Sequence, residues 1–65
     1  MIKILFFDID GTLLELGQKE MHQELIIALN EVKKKGIKIF LATGRPPFVV
    51  PKFHGIEFDG VLSFN

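Results

Sequence analysis

The sequence has no cysteine, no tryptophan and no tyrosine, and its formal net charge is zero. Without cysteine, the chain has no disulfide and no thiolate zinc site, which are common supports of very small domains. His22 and His54 do not make a metal cage by themselves. Eight basic and eight acidic residues cancel, so no basic field points to nucleic acid or to a membrane surface. We expect neither of these as a partner.

The sequence also lacks a long hydrophobic run. The apolar run at the N-terminus ends at Phe7, which is too short for the apolar region of a signal peptide and its cleavage site. No stretch approaches the roughly 20 apolar residues that a membrane-spanning helix needs. The sequence therefore predicts an intracellular protein with a cytoplasmic location.

The 65 residues are 48% apolar and include seven phenylalanines, a composition that excludes a disordered segment. A chain of this length buries only about 60% of the surface that its unfolded form exposes. At this size, apolar burial barely offsets the entropy lost on ordering the chain. We therefore expect a globular α/β piece that needs more chain, a partner or a second copy of itself to stay folded.

The first half of the chain predicts a strand followed by a helix. Ile2–Phe7 is a nearly continuous apolar run, which predicts a strand buried on both faces of a parallel sheet. From Met21 to Lys35 the apolar residues recur at helical spacing. Gly36 follows, where a left-handed residue commonly ends a helix. The start of the helix lacks a Ser, Thr, Asp or Asn at the expected N-cap.

Two further apolar runs, Ile37–Ala42 and Gly60–Phe64, predict a second and a third strand. Pro46 and Pro47 open a short helical connection, since proline suits the first turn of a helix. This order predicts a three-layer, doubly wound α/β fold of the Rossmann-like kind, represented by a three-stranded parallel βαβ(α)β segment. In such sheets, ligands bind beyond the carboxyl ends of the strands.

Asp8 and Asp10 come directly after the first predicted strand. Two carboxylates held close together repel unless a cation neutralises them or one takes a proton. Mg²⁺ prefers such oxygen ligands and keeps waters that a phosphate can replace. One carboxylate could then attack phosphorus as a nucleophile, and the other could protonate the leaving oxygen. The competing interpretation is an aspartate-rich turn that only ends a strand.

Thr43, Gly44 and Arg45 end the second predicted strand. A hydroxyl, an exposed backbone amide and a guanidinium together suit the oxygens of a phosphate group. The competing interpretation is a turn with a solvated arginine. Because both clusters follow parallel strands, we expect them at one edge of the sheet.

Three segments carry a family resemblance. Phe6–Leu14 resembles the first signature of the haloacid dehalogenase (HAD) superfamily, and Leu41–Arg45 resembles its second. Most members of this superfamily are Mg²⁺-dependent phosphatases. Phe58–Asn65 resembles the third strand of the Cof-like sugar-phosphate phosphatases within it. The similarity extends along essentially the whole chain.

The resemblance implies a role for each matching residue. Asp8 would be the nucleophile that becomes an aspartyl-phosphate, and it would also be a Mg²⁺ ligand. Asp10 would be the general acid and base, with its backbone carbonyl on the Mg²⁺. Thr43 and the amide of Gly44 would bind the transferring phosphoryl group. Arg45 would reach the phosphate or the rest of the substrate, which the resemblance implies is a small phosphorylated metabolite.

The resemblance also implies parts that these residues do not include. Family members use a later lysine, an acidic pair after the fourth strand, and a cap domain that selects the substrate. Asn65 would begin the Asn-Gly step that precedes the cap. We therefore interpret residues 1–65 as the N-terminal part of a HAD-like core domain, without the cap and the C-terminal half of the core. We expect little or no turnover from this chain alone.

Two alternatives stay open on the sequence. The chain could be a short non-enzymatic α/β module that binds a partner or itself through an open sheet edge. In the family's sheet the first strand lies between the second and the fourth, so without the fourth strand we expect Ile2–Phe7 to be an exposed apolar edge that invites self-association. It could also be a phospho-acceptor domain in which Asp8 is modified as a signal, as in receiver domains. The Asp-x-Asp-Gly-Thr spacing fits this poorly, because receiver domains place their acidic pair and their acceptor on separate strands.

Overall fold

The structure, a computed structural model, describes residues 3–15 and 17–64. Ile2, predicted to begin the first strand, and Asn65 lie outside the described residues. Within them, no helix has the length and apolar character needed to cross a membrane. The elements in chain order are strand β1 (Ile4–Phe7), helix α1 (Gln23–Lys34), strand β2 (Lys38–Thr43), a one-turn 3₁₀ helix (Pro47–Val49) and strand β3 (Gly60–Ser63).

The three strands form one parallel sheet in the order β1-β2-β3. Phe7 of β1 lies opposite Leu41 of β2, and Thr43 at the end of β2 lies opposite Ser63 at the end of β3. The segments that follow β1, β2 and β3 therefore leave the sheet at one edge. This arrangement confirms the predicted parallel βαβ(α)β segment of a Rossmann-like fold.

The core lies on one face of this sheet. Along β2, Ile39, Leu41 and Thr43 are buried, whereas Phe40 and Ala42 on the opposite face are only partly buried. A strand with this alternation has one covered and one open face. The buried apolar residues come from the strands, the helix and the loops between them: Ile9, Leu13, Leu14, Met21, Leu29, Ile39, Leu41 and Ile56.

The apolar run alone predicted a first strand buried on both faces, which is wrong for the described residues; the expectation that this strand is an exposed apolar edge without a fourth strand is confirmed for Ile4–Phe7. Ile4, Leu5 and Phe6 are 46%, 41% and 55% exposed. In the described sheet β1 is an edge strand that pairs only with β2. Ile4 and Phe6 lie on the open face of the sheet, with Phe6 opposite Phe40. Leu5 lies opposite Ile39 on the covered face and is only partly covered there. The apolar run at Ile4–Phe7 thus has more hydrophobic surface than these residues can cover.

Helix α1 was predicted over Met21–Lys35 and forms over Gln23–Lys34. His22 is its N-cap residue and makes no side-chain capping hydrogen bond, which agrees with the missing N-cap signal. Gly36 has a φ of +83°, the left-handed conformation expected of a residue that ends a helix. Leu29 is the residue of the helix that is buried in the core.

Two side chains of α1 fix the long connection that leads into β3. The amide of Asn30 donates to the carbonyl oxygen of Gly55 at 2.8 Å, and the ammonium of Lys33 donates to the carbonyl oxygen of Glu57 at 2.5 Å. These hydrogen bonds hold the irregular segment against the helix. Because that segment ends at the start of β3, they also help to place β3 beside β2.

Asp59 aligns β3 with β2. Its carboxylate accepts the N–H of Ile39 at 2.8 Å, and its own N–H donates to the carbonyl oxygen of Ile39 at 2.7 Å. The strand then begins at Gly60, over which the ring of Phe40 packs. This alignment determines where β3 ends and therefore where Ser63 lies.

Candidate active site

The loop after β1 is anchored by one buried residue between two exposed acids. Ile9 is fully buried, whereas Asp8 and Asp10 on either side of it are exposed. The carboxylate of Asp8 accepts the N–H of Ile9 at 2.7 Å. The burial of Ile9 therefore holds both acidic residues at the carboxyl end of β1.

A tight turn closes this loop. The carbonyl oxygen of Ile9 accepts the N–H groups of Leu13 and Leu14 at 3.0 and 2.8 Å, and the N–H of Gly11 donates to the carbonyl oxygen of Leu14 at 2.8 Å. Gly11 has a φ of +82°, a conformation that glycine adopts without steric cost. Leu13 and Leu14 are buried beneath the turn.

The loop after β2 is also held by its own hydrogen bonds. Thr43 is buried, and its hydroxyl oxygen accepts the N–H of Arg45 at 3.0 Å. The carbonyl oxygen of Arg45 accepts the hydroxyl of Ser63 at 2.5 Å. Gly44, which lies between Thr43 and Arg45 in the sequence, is exposed. The backbone of Arg45 is thus bound on one side by Thr43, the last residue of β2, and on the other by Ser63, the last residue of β3.

Arg45 and Asp10 join the two loops. The guanidinium donates from Nε to Oδ2 of Asp10 at 2.9 Å and from Nη2 to Oδ1 at 2.5 Å, a two-point contact in which both carboxylate oxygens are used. Its third nitrogen, Nη1, donates to the carbonyl oxygen of Val49 at 3.3 Å. The structure therefore brings Asp10 and Arg45 into direct contact, which their sequence positions did not predict.

This contact changes the acidity of Asp10. The hydrogen bonds from Arg45 lower the pKa of the Asp10 carboxyl, and the positive charge of Arg45 lowers it further, against an opposing effect of desolvation. The same hydrogen bonds raise the pKa of Arg45. With this contact in place, Asp10 is held in its ionised form.

The described residues supply oxygen atoms of the kind that Mg²⁺ binds, but not a full set of ligands. They include no group of three or more His, Cys, Asp or Glu side chains that could hold a metal ion. Asp8 and Asp10 do supply the oxygen ligands that Mg²⁺ prefers, and waters or a phosphate commonly complete its coordination. Both carboxylate oxygens of Asp10 contact Arg45, which is compatible with the expectation that Asp8 would offer its carboxylate to the metal and Asp10 its backbone carbonyl. The donor set fits magnesium in kind and supplies only some of its ligands.

The five predicted site residues lie at the edge of the sheet where the strands end. The structure joins Asp10 to Arg45 and Thr43 to Arg45, and the carboxylate of Asp8 is oriented by its neighbour Ile9. Sequence reasoning treated Ser63 only as part of a strand. The sequence feature that could have identified Ser63 is a lone hydroxyl residue at the carboxyl end of the third predicted strand. Ligands of such sheets bind at the carboxyl ends of the strands.

Comparison with known proteins agrees with this geometry. The family profile of haloacid dehalogenase-like hydrolases matches residues 5–65. A Bacillus subtilis (strain 168) protein with the name "Putative phosphatase YxeH" is 46% identical over 70 residues, which cover 100% of this chain and 26% of that protein. Another protein of that strain, "Putative phosphatase YkrA", is 33% identical over 64 residues, covering 97% of this chain and 24% of that protein.

A solved structure shows the same fold. BT1666 from Bacteroides thetaiotaomicron, a phosphatase of the HAD superfamily, superposes with a TM-score of 0.83 at 41% identity, over 97% of this chain and 24% of that one. The three parallel strands and the helix match part of the Rossmann-like core of this superfamily. The chain belongs to the haloacid dehalogenase-like hydrolases, and it spans about a quarter of the length of the curated relatives it matches.

Proposed function

We propose that the chain is the N-terminal part of the core domain of a Mg²⁺-dependent phosphatase. The proposed reaction is hydrolysis of small phosphate monoesters, such as sugar phosphates, through an aspartyl-phosphate. The observation that carries the proposal is the direct contact between Asp10 and Arg45. This contact joins the acidic loop, which follows β1 and carries Asp8 and Asp10, to the proposed phosphate-binding loop, residues 43–45 after β2. The relatives that carry phosphatase names support the reaction class.

In this proposal Asp8 is the nucleophile. It is exposed at the end of β1, and the N–H of Ile9 holds one of its carboxylate oxygens, which leaves the other to attack phosphorus. Asp8 and Asp10 would hold Mg²⁺, which, when bound, neutralises charge on the carboxylates and on the phosphoryl oxygens. Asp10 would protonate the leaving oxygen and later activate water against the aspartyl-phosphate.

Thr43, Gly44 and Arg45 bind the phosphoryl group in this proposal. The hydroxyl oxygen of Thr43 accepts the N–H of Arg45, so its hydroxyl proton can still be donated to a phosphate oxygen. The exposed amide of Gly44 adds a second donor. The guanidinium of Arg45 has a planar two-point geometry that suits phosphate as well as carboxylate.

The contact between Asp10 and Arg45 has to open during this reaction. An ionised carboxylate that is held by a guanidinium has no proton to donate. Asp10 therefore needs to lose this partner and take up a proton from water before it can protonate the leaving group. A substrate phosphate offers Arg45 another two-oxygen partner. We therefore propose that Arg45 moves from Asp10 to the phosphate when substrate binds.

The described residues do not enclose the site. A cavity of about 300 Å³ lies near the start of α1, lined among others by Lys19, Met21 and Phe53, and Asp8 and Asp10 are not part of it. The candidate catalytic residues lie at the carboxyl end of the sheet, which is open in the described residues. This supports the proposal that residues 1–65 are one part of a core domain whose remainder and cap would complete the site. Low turnover of this chain alone and a cytoplasmic location both stay predictions.

A chimeric enzyme tests the proposed function. Residues 1–65 would replace the matching quarter of the 46% identical Bacillus subtilis relative, and the unmodified relative would be assayed in parallel. We expect Mg²⁺-dependent hydrolysis of p-nitrophenyl phosphate that Asp8→Asn abolishes and the matched charge-removing control Glu20→Gln leaves intact. A chimera that elutes as a folded protein but shows no activity dependent on Asp8, while the relative is active, contradicts the proposal.

The exposed apolar side chains of β1 favour a second candidate function. Ile4, Leu5 and Phe6 lie on an edge strand of the described sheet and are largely exposed. An edge strand of this kind is a template for pairing with another chain. In this candidate the chain is a non-enzymatic module that binds a partner or a second copy of itself through β1.

A further inference from the structure

We propose that Ser63, at the end of β3, is a positioning residue that holds the backbone of Arg45 so that its guanidinium reaches the acidic loop. The proposal rests on the proposed function, because it gives Ser63 a part in the phosphate-binding apparatus. Its basis is the hydrogen bond from the hydroxyl of Ser63 to the carbonyl oxygen of Arg45, at 2.5 Å. Ser63 does not contact Asp10 itself; it acts through Arg45.

The register of the sheet places Ser63 for this contact. Ser63 lies directly opposite Thr43, so the two hydroxyl side chains project from the same face of neighbouring strands. Thr43 accepts the N–H of Arg45, and Ser63 donates to its carbonyl oxygen. One residue is therefore held through both of its backbone polar groups by two adjacent strands.

This double hold matters because Arg45 lies outside the regular structure. β2 ends at Thr43 and the 3₁₀ helix begins at Pro47, so residues 44–46 form an irregular link. An arginine side chain has several rotatable bonds, and its guanidinium meets a partner at two points only if its backbone is fixed. The Ser63 hydroxyl fixes that backbone from β3.

The chemistry of the contact requires a hydroxyl donor. A carbonyl oxygen only accepts hydrogen bonds, so a side chain without a donor at position 63 leaves the carbonyl of Arg45 without this partner. Threonine retains the hydroxyl, whereas valine has nearly the same shape without it. Both are β-branched and suit a strand, so Ser63→Thr and Ser63→Val form a matched pair.

Nuclear magnetic resonance of the 65-residue chain tests the proposal. Arg45 is the one arginine of the sequence, so its side-chain Nε–H signal is unambiguous. In the unsubstituted chain this proton is donated to Asp10, and we expect it to exchange slowly with solvent. Ser63→Val should accelerate its exchange at least about fivefold, the effect of losing one hydrogen bond of ordinary strength. Ser63→Thr should restore slow exchange.

Two controls separate positioning from strand stability. Val61→Ala truncates a side chain of β3 that lies on the same face as Ser63, and it should leave Arg45 Nε–H exchange unchanged. The backbone N–H of Phe64, which donates to Thr43 at 2.9 Å, reports whether β3 still pairs. Loss of Phe64 protection together with that of Arg45 would assign Ser63 to strand stability and overturn the proposal.

Equal exchange rates in Ser63→Val and Ser63→Thr would also overturn it. The measurement uses neither substrate nor turnover, so its result is independent of the activity of the chimeric enzyme. An inactive chimera with intact Ser63 dependence of Arg45 exchange would contradict the phosphatase proposal and keep the structural contact. An active chimera, combined with Arg45 Nε–H exchange that does not depend on the hydroxyl of Ser63, would support the phosphatase proposal and overturn the positioning role of Ser63.

Discussion

Arg45 determines the electrostatics of the candidate site. Its side chain is 31% exposed and that of Asp10 is 63% exposed, so the pair lies where water screens its charges. Salt bridges of this kind contribute little to stability. Their effect on the protonation of one carboxyl is nevertheless direct, because both oxygens of Asp10 accept hydrogen bonds from the guanidinium.

Removing the guanidinium should raise the pKa of Asp10. In Arg45→Gln the hydrogen bonds and the positive charge that lower this pKa are lost, so it should return toward its ordinary value of 3.8. Because the folded-state pKa is the lower one, any stability from this pair is present above the unfolded-state pKa. It is lost as the pH falls through the folded-state pKa. Carboxyl ¹³C shifts recorded against pH measure the pKa.

The matched control for this titration is Lys34→Gln, which removes a positive charge that pairs with Glu31 at 3.2 Å. It should leave the titration of Asp10 unchanged. If Asp10 titrates identically with and without the guanidinium, the contact seen in the structure is not maintained in solution.

For single residues, the sequence predicted where the candidate site residues lie better than it predicted which of them contact each other. Asp8, Asp10 and the residues 43–45 were found because turn residues directly follow apolar strands. The pairing of Asp10 with Arg45 depends on the paths of two loops, and the bond from Ser63 depends on the register of β3 against β2. Neither loop path nor register is encoded in a local pattern, which is why Ser63 was missed. The catalytic and metal-binding roles of the predicted residues stay predictions.

Helix α1 stabilises the fold through its buried face. Leu29 is 3% exposed and belongs to the core, so Leu29→Ala should lower the free energy of unfolding by about 2–5 kcal/mol. Ile27 on the same helix is exposed, and Ile27→Ala should change that free energy by less than about 0.5 kcal/mol. Urea denaturation followed by circular dichroism measures both. Equal losses would mean that the helix does not pack on the sheet as described.

Strands β2 and β3 meet tightly at Gly60. A Cβ atom at this position would lie 2.4 Å from a ring atom of Phe40, closer than non-bonded carbon atoms approach. Gly60→Ala should therefore lower the free energy of unfolding by about 1–3 kcal/mol. The loss should shrink in the background Phe40→Ala, where the ring is absent, and a double-mutant cycle from urea denaturation measures the coupling.

Gly44 provides the comparison for this prediction. A Cβ built there meets nothing within 4 Å, so Gly44→Ala should not show the loss expected of Gly60→Ala. Equal losses in the free energy of unfolding for the two alanine substitutions would show that close packing does not cause the loss at Gly60. A loss at Gly60 that persists without the Phe40 ring would show the same.

The elements themselves followed from the sequence, and their burial did not. The periodicities predicted all three strands, the helix to within two residues at its start, and the short helical turn at Pro47. For β1 the apolar run predicted burial on both faces, because such a run indicates how much surface a strand can bury and not whether a neighbouring strand covers it. The exposed edge was expected only from the family's strand order, in which a fourth strand lies beside the first. Ile4, Leu5 and Phe6 are exposed because, among the described residues, β1 has a neighbouring strand on one side only.

The described molecule is a sheet with one covered face. On the other face, Phe6 packs against Phe40 with ring centroids 5.6 Å apart, and Leu62 of β3 lies beside them and is also exposed. Contiguous apolar surface of this kind is unusual on a stable monomer and marks a surface that is covered by something else. For the chain by itself, a second copy is the available cover.

The 65-residue chain should therefore self-associate through β1 and the adjoining open face. Sedimentation equilibrium should give an average mass that rises with concentration above the 7.4 kDa of one chain. Phe6→Lys should shift it toward the monomer, because a charge on an edge strand opposes pairing. Ile27→Lys is the matched control, since Phe6 and Ile27 are both 55% exposed but Ile27 lies on the helix. A monomer at all concentrations would contradict the prediction. An equal shift in both variants would place the contact elsewhere than on β1.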